Sequence, residues 1–296
     1  MSRCQKTLAG PAILAGVGVH TGAHTRLFVR PAPVNTGIVF VRADVRDRDN
    51  RVPVSGEAVT KTQLGTVISN AAGVTVSTIE HLMAAFCALG VDNAVVELDG
   101  PEVPIMDGSA KDFVRILDRV GVKDQVAERR YIEITAPIEV RDGDKVARLL
   151  PSSKGFEVYF EIQFATPTIG HQTVDLVVDE DSFREELADC RTFGFLHEVE
   201  ALRAMGLARG GSLENAVVID GDRILNEDGL RRPDEFVRHK ALDAVGDLYV
   251  LGAPILGRFE GVFAGHGINN LLVRALLEAP QSWRWRPALK ELAQAG

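Results

Sequence analysis

Short apolar runs with β-branched or alternating character occupy residues 25–30, 37–41, 52–54, 66–69 and 74–78. Gly, Pro and Asn separate them, so each run is expected to be a strand. The pattern then changes. Residues 79–89 are apolar almost throughout and stop at Gly90, as a buried helix does. Ser77 and Glu80 have the spacing of a capping box for that helix, with Ser77 as N-cap. Residues 94–98 are expected to be a buried strand. Ser109 with Asp112 marks a second helix running to about 120.

The stretch 122–130 is polar and charged, and it is taken as the boundary between an N-terminal domain, 1–126, and a C-terminal domain, 127–296. Strands are expected again at 131–134, 138–140, 146–150, 156–164 and 173–178. Helical segments follow at 182–188 and 197–205. A hairpin around Gly221 joins 216–220 to 223–225. A long helix is expected from 234 to 251, then a strand at 256–262 and a last helix at 269–277. Both halves therefore run strands, helix, strand, helix. The expected fold class is α+β, with two similar layers packed together and a site at their interface.

Composition narrows the function. With 46% hydrophobic and 25% charged residues the 296-residue chain can bury a core. A net charge of -8 argues against double-stranded nucleic acid as a partner. A small anionic ligand held by a few local cations remains compatible with it. Cys4, Cys87 and Cys190 are odd in number and far apart, which suits a reducing cytoplasm and excludes a thiolate metal site of CxxC type. Arg3 and Lys6 precede an apolar stretch at 8–19, but Pro11 and three glycines interrupt it, so no signal peptide is expected. No apolar run approaches the ~18 residues of a membrane span.

Chemistry concentrates in a few places. His239 and Asp243 are spaced i, i+4 on an expected helix, with Asp247 one turn on and Lys240 adjacent. On spacing alone a surface ion pair is the favoured reading. Glu80-His81 opens the other apolar helix, where both residues could simply belong to a capped first turn. Together, His81, His239 and Asp243 would supply two imidazoles and a carboxylate. That set suits a catalytic zinc ion, with Fe2+ or another divalent ion as alternatives. His266 lies between Gly265 and Gly267, in what is expected to be a loop. Thr192-Phe193-Gly194-Phe195 is expected to be a packed turn. Gly16-Val17-Gly18-Val19-His20-Thr21-Gly22 lacks both the spacing and the following helix of a dinucleotide loop.

Taken in order, several motifs resemble the UDP-3-O-acyl-N-acetylglucosamine deacetylases, zinc enzymes of lipid A biosynthesis. They are the glycine-rich segment above, Arg30-Pro31-Ala32-Pro33-Val34-Asn35-Thr36-Gly37, Ser77-Thr78-Ile79-Glu80-His81-Leu82, and Pro104-Ile105-Met106-Asp107-Gly108-Ser109-Ala110. Arg191-Thr192-Phe193-Gly194-Phe195, Leu225-Asn226-Glu227-Asp228-Gly229-Leu230-Arg231 and Asp234-Glu235-Phe236-Val237-Arg238-His239-Lys240 complete the set. The resemblance implies two domains of similar topology, each with two helices on a sheet and a small insertion. It implies His81, His239 and Asp243 as zinc ligands and Glu80 as general base. His266, oriented by Asp247, is implied as general acid, with Thr192 at the oxyanion and Lys240 near polar substrate groups. The implied substrate is an acylated UDP-sugar; a cytoplasmic monomer is expected.

An acyl passage is expected in the insertion at about 193–213, along Leu196, Ala201, Leu202, Met205, Leu207 and Leu213. Phe193 and Phe195 are expected substrate contacts. One departure affects the diphosphate: Phe263 stands where the family often has lysine, which leaves Lys240 and Lys145 as the candidate contacts.

Overall fold

A computed structural model describes residues 2–287. Its centre is the crossing of two helices. α1 (Glu80–Leu89) is apolar nearly all round, and such a helix is stable only when enclosed. It ends where Gly90 turns left-handed at φ 72°. The other helices are α2 (Lys111–Val120), the single turn α3 (Glu180–Ser182), α4 (Leu196–Ala204), α5 (Glu235–Tyr249) and α6 (His266–Glu278). All of α5 is buried except Arg238 and Lys240. α1 packs against α5.

The two halves share a five-strand order. In the first, the sheet order is Ala12–Val17, His24–Pro31, Ala94–Leu98, Ile38–Arg42, Arg51–Pro53. In the second, a seven-stranded sheet contains the order Ile138–Asp142, Lys145–Leu150, Ile255–Val262, Phe156–Gln163, His171–Val177; Arg130–Ile134 also pairs with the start of Ile255–Val262, and Trp283–Pro287 pairs with Arg130–Ile134. In both, the central strand has an antiparallel neighbour on one side and a parallel one on the other. A parallel pair needs a long crossover. Here each crossover carries an insertion and then the buried helix, α1 or α5. A second helix, α2 or α6, follows each central strand. The first insertion is a three-stranded sheet of Val59–Lys61, Val67–Ser69 and Thr75–Val76. The second joins α4 to a sheet of Phe193–Phe195, Val217–Asp220 and Arg223–Ile224. The α+β class with two similar layers holds.

Several local expectations are corrected. Ser77 does not cap α1: Ile79 occupies the cap position with no side-chain bond, and Ser77 N–H donates to Pro101 O instead. Glu80 is thereby released from capping. Ala110, not Ser109, precedes α2, although Ser109 Oγ accepts from Lys111 N–H. The polar stretch taken as the domain boundary contains a strand, Val122–Glu128, antiparallel to Cys4–Leu8. Its exposed face explains the polarity. The 193–195 segment is a strand parallel to Val217–Asp220 rather than a turn. α6 starts at His266, three residues earlier than expected, because Gly265 is its extended N-cap.

Gly246 of α5 is the point of closest approach. A Cβ there would lie 1.9 Å from the Glu80 carbonyl oxygen. Gly246→Ala should therefore lower Tm, although alanine gains ~1 kcal/mol of helix propensity over glycine. Overpacking costs about 1–3 kcal/mol, so a net loss of a few degrees is expected in a thermal melt. A raised Tm would show that the crossing does not need the glycine.

Candidate metal centre

The α1–α5 crossing brings together residues more than 150 positions apart. His81 sits in the first turn of α1, while His239 and Asp243 lie on one face of α5. All three are buried, so the i, i+4 pair is not on the surface. One donor atom from each lies within 4.8 Å of the others. His239 Nδ1 lies 3.0 Å from the Cys190 carbonyl oxygen. Burial also pushes the His239 pKa down to about 4, so the ring is neutral near pH 7. A neutral imidazole that donates through Nδ1 has only a lone pair at Nε2. That lone pair faces Asp243 Oδ1 at 3.3 Å, and His81 Nε2 lies 3.4 Å from the same oxygen.

Asp243 Oδ1 is buried and accepts no hydrogen bond. Burial opposes its charge, yet the surrounding imidazoles and the Lys240 ammonium, 3.1 Å from Oδ2, hold the carboxyl well below its usual range. The His239 Nε2 lone pair meets this orphaned anionic oxygen, an arrangement that a cation between them would relieve. The donor set of two nitrogens and a carboxylate fits a divalent ion.

Glu80 and His266 face this cluster. Burial raises the Glu80 pKa, opposed by the nearby imidazoles of His266 and His81. Glu80 Oε2 accepts from Thr66 N–H at 3.0 Å, and Oε1 lies 4.0 Å from His266 Nε2. His266 Nδ1 lies 2.8 Å from Asp247 Oδ2. Burial works against the imidazolium, but the Asp247 carboxylate outweighs it and carries the His266 pKa up to about 10. Asp247 is held by two further donors, Asn269 Nδ2 at 2.9 Å and Thr66 Oγ1 at 2.7 Å. Thr66, from the first insertion, thus bonds both Glu80 and Asp247.

A cavity of about 470 Å³ opens over these groups. Thr192, Phe193 and Lys240 line it beside His81, His239, Asp243, Glu80 and His266. Away from the charges its wall becomes apolar, with Leu196, Val199, Leu202, Leu213 and Val218. Ala201, Met205 and Leu207, expected on that wall, are not part of it. Met205 is 67% exposed. Phe195 packs on Phe164 and His197 instead of lining the cavity. Lys145 is exposed at a hairpin opposite Asp142 and does not line the cavity either.

Some contributors escaped the sequence reading. Thr66 was only a strand residue, and Cys190 acts through its backbone. Asn269 stands three residues after His266, a same-face spacing that could have revealed it. Glu102 is the largest omission. Fully buried, its carboxylate accepts from His20 N–H, Thr21 N–H, Thr21 Oγ1 and Thr78 Oγ1. It explains the glycine-rich segment, since a Cβ on Gly18 would lie 2.1 Å from Glu102 Oε2. Gly108, at φ 85°, likewise leaves no room for a Cβ against Asn215 O, while its own carbonyl accepts from Thr192 N–H.

The chain has extensive matches among known proteins. Residues 5–278 match the profile of a family described as UDP-3-O-acyl N-acetylglycosamine deacetylase. A UDP-3-O-acyl-N-acetylglucosamine deacetylase of Phenylobacterium zucineum (strain HLK1) is 72% identical over 291 residues, covering 98% of this chain and 99% of the relative. A protein of the same name from Shewanella sp. (strain W3-18-1) is 50% identical over 281 residues, 94% of this chain and 91% of the relative.

A divalent ion held between these three side chains should stabilise the fold. Added to metal-free protein at 100 times its Kd, it should contribute about 2.7 kcal/mol and raise Tm. Asp243→Asn should abolish the increase; an equal increase in that variant would place the ion elsewhere.

Proposed function

The chain belongs to the UDP-3-O-acyl N-acetylglycosamine deacetylase family, and on that premise we propose how its own residues carry out the reaction. It hydrolyses the acetamide of UDP-3-O-acyl-N-acetylglucosamine to the free amine and acetate, in lipid A biosynthesis. The family is metal-dependent, and His81, His239 and Asp243 are the side chains that would hold the ion. Zinc is the ion proposed, with Fe2+ as the alternative. When bound, it acidifies water and polarises the acetamide carbonyl.

Glu80 is the base. A buried carboxylate with a raised pKa accepts the proton of the attacking water more readily than an exposed one. Its Thr66 contact keeps Oε2 occupied and fixes the side chain. Thr192, on the cavity wall, would donate to the developing oxyanion, an interaction worth about 3 kcal/mol for a well-aimed donor. An amine leaves poorly as an anion, so it must be protonated as the C–N bond breaks. His266 is the acid, because Asp247 keeps it cationic and holds Nδ1, leaving Nε2 to deliver the proton. This Asp247–His266 contact is the observation that carries the assignment.

The apolar end of the cavity would take the acyl chain, with Phe193 beside the sugar. Lys240 is the proposed diphosphate contact. Lys145 would reach the ligand only from its exposed hairpin. The domains are proposed to divide within the strand Val122–Glu128, at the 126/127 boundary. Among the described residues no helix is long and apolar enough to cross a membrane. A cytoplasmic monomer is the form proposed.

Acetate release from UDP-3-O-acyl-N-acetylglucosamine should be lost on chelation and restored by zinc. A zinc-loaded protein that releases none refutes the reading. Glu80→Gln should keep the ion and lose about 10²–10⁴ in kcat; unchanged turnover would remove Glu80 from its role.

The pH profile tests the acid. Glu80 must be ionised, so the rate rises with pH through its raised pKa. His266 must be protonated, so the rate falls as pH passes through its own raised pKa. Asp247→Asn removes the charge that supports His266, and the alkaline limb should move to lower pH. An unmoved limb would disprove the pairing.

A further inference from the structure

We propose that Glu235 is a positioning residue for His239, acting through the peptide unit that joins Cys190 to Arg191. This inference rests on the reading that His239 holds the metal.

The Cys190 carbonyl and the Arg191 N–H belong to one planar peptide group, and in a trans peptide they point in opposite directions. The carbonyl faces His239 Nδ1 at 3.0 Å. The N–H donates to Glu235 Oε1 at 2.9 Å. Glu235 and His239 are four residues apart on α5, so their side chains share a face. One helix thus grips a single peptide plane at both ends, through a carboxylate on one side and an imidazole on the other. The plane cannot rotate without breaking both bonds.

The carboxylate is itself immobile. Glu235 is fully buried, and Oε1 also accepts from Arg191 Nε at 2.9 Å. Oε2 accepts from Arg191 Nη2 at 3.2 Å and from Arg231 N–H at 2.7 Å. Arg191 Nη2 donates onward to the Gly229 carbonyl. Every acceptor position of Glu235 is used within this clamp, and none faces the cavity. Its consequence for the site is the tautomer and aim of the His239 ring. A proton fixed on Nδ1 leaves Nε2 free for an ion. Partners of this kind typically affect metal affinity by about 10–100-fold.

Two variants separate positioning from mere stability. Glu235→Asp keeps the charge against Arg191 but shortens the reach by one methylene. Arg191→Lys removes the guanidinium bonds and keeps the backbone N–H bond to Glu235. Zn2+ is titrated into each metal-free full-length chain against a chromogenic chelator, with Tm measured in parallel. Glu235→Asp should bind Zn2+ about 10–100-fold more weakly. Arg191→Lys should lose Tm while its Zn2+ affinity stays within about threefold of the parent chain, because the peptide clamp remains.

Parent-like Zn2+ affinity in folded Glu235→Asp overturns the inference alone. Absence of Zn2+ binding by the parent chain overturns the metal-site reading beneath it. If Glu235→Asp does not fold, the metal-free parent chain decides. Long-range proton–nitrogen spectra should place the His239 ring proton on Nδ1, and the Arg191 amide should exchange slowly. A proton on Nε2, or a freely exchanging Arg191 amide, overturns the clamp.

Discussion

The close contact of α1 with α5 is the constraint on which the rest depends. Gly246 lets the two helices approach until the Glu80 carbonyl nearly touches the α5 backbone. No side chain larger than hydrogen fits there without displacement. The first turn of α1 carries Glu80 and His81, and successive turns of α5 carry His239, Asp243 and Asp247. Without that approach, neither helix holds more than part of the cluster.

The crossing also creates an electrostatic problem. Several ionisable groups are enclosed in one small volume, where a misplaced charge is costly. The protein resolves it by giving each group a different environment. Burial keeps His239 neutral, and the Cys190 carbonyl fixes which ring nitrogen faces the cluster. Burial raises Glu80, and Asp247 keeps His266 cationic despite burial. Pushing neighbouring pKa values apart is how acid and base roles coexist in one site. Thr66 matters because it bonds both carboxylates, Glu80 through its N–H and Asp247 through its hydroxyl.

Matched topology explains why the site lies where it does. Each half presents one buried helix from the crossover between its parallel strands, and the two helices face one another. The insertions leave the same crossovers and close over the crossing from both sides. One contributes Thr66 nearby, and the other contributes Phe193 and the apolar wall. Backbone bonds from Arg209 N–H and Gly210 N–H to His20 O and Val19 O fasten the second insertion to the first half.

Periodicity and punctuation in the sequence determined α1, α5, the central strands and the repeated order of elements. These are set by local burial patterns that survive in one dimension. The family motifs implied the proposed catalytic set, which spacing alone left open between surface pair and ligand. Tertiary structure decided whether those residues meet and what state they hold. It showed that Ser77 is not a cap, that a polar stretch is a strand, and that His266 begins a helix. It also brought in Thr66, Glu102 and the Cys190 carbonyl, none of which carries a mark in the chain. The physical reason is range. Helix period acts over a few residues, whereas desolvation and lone-pair repulsion around Asp243 arise only when segments more than a hundred residues apart are pressed together.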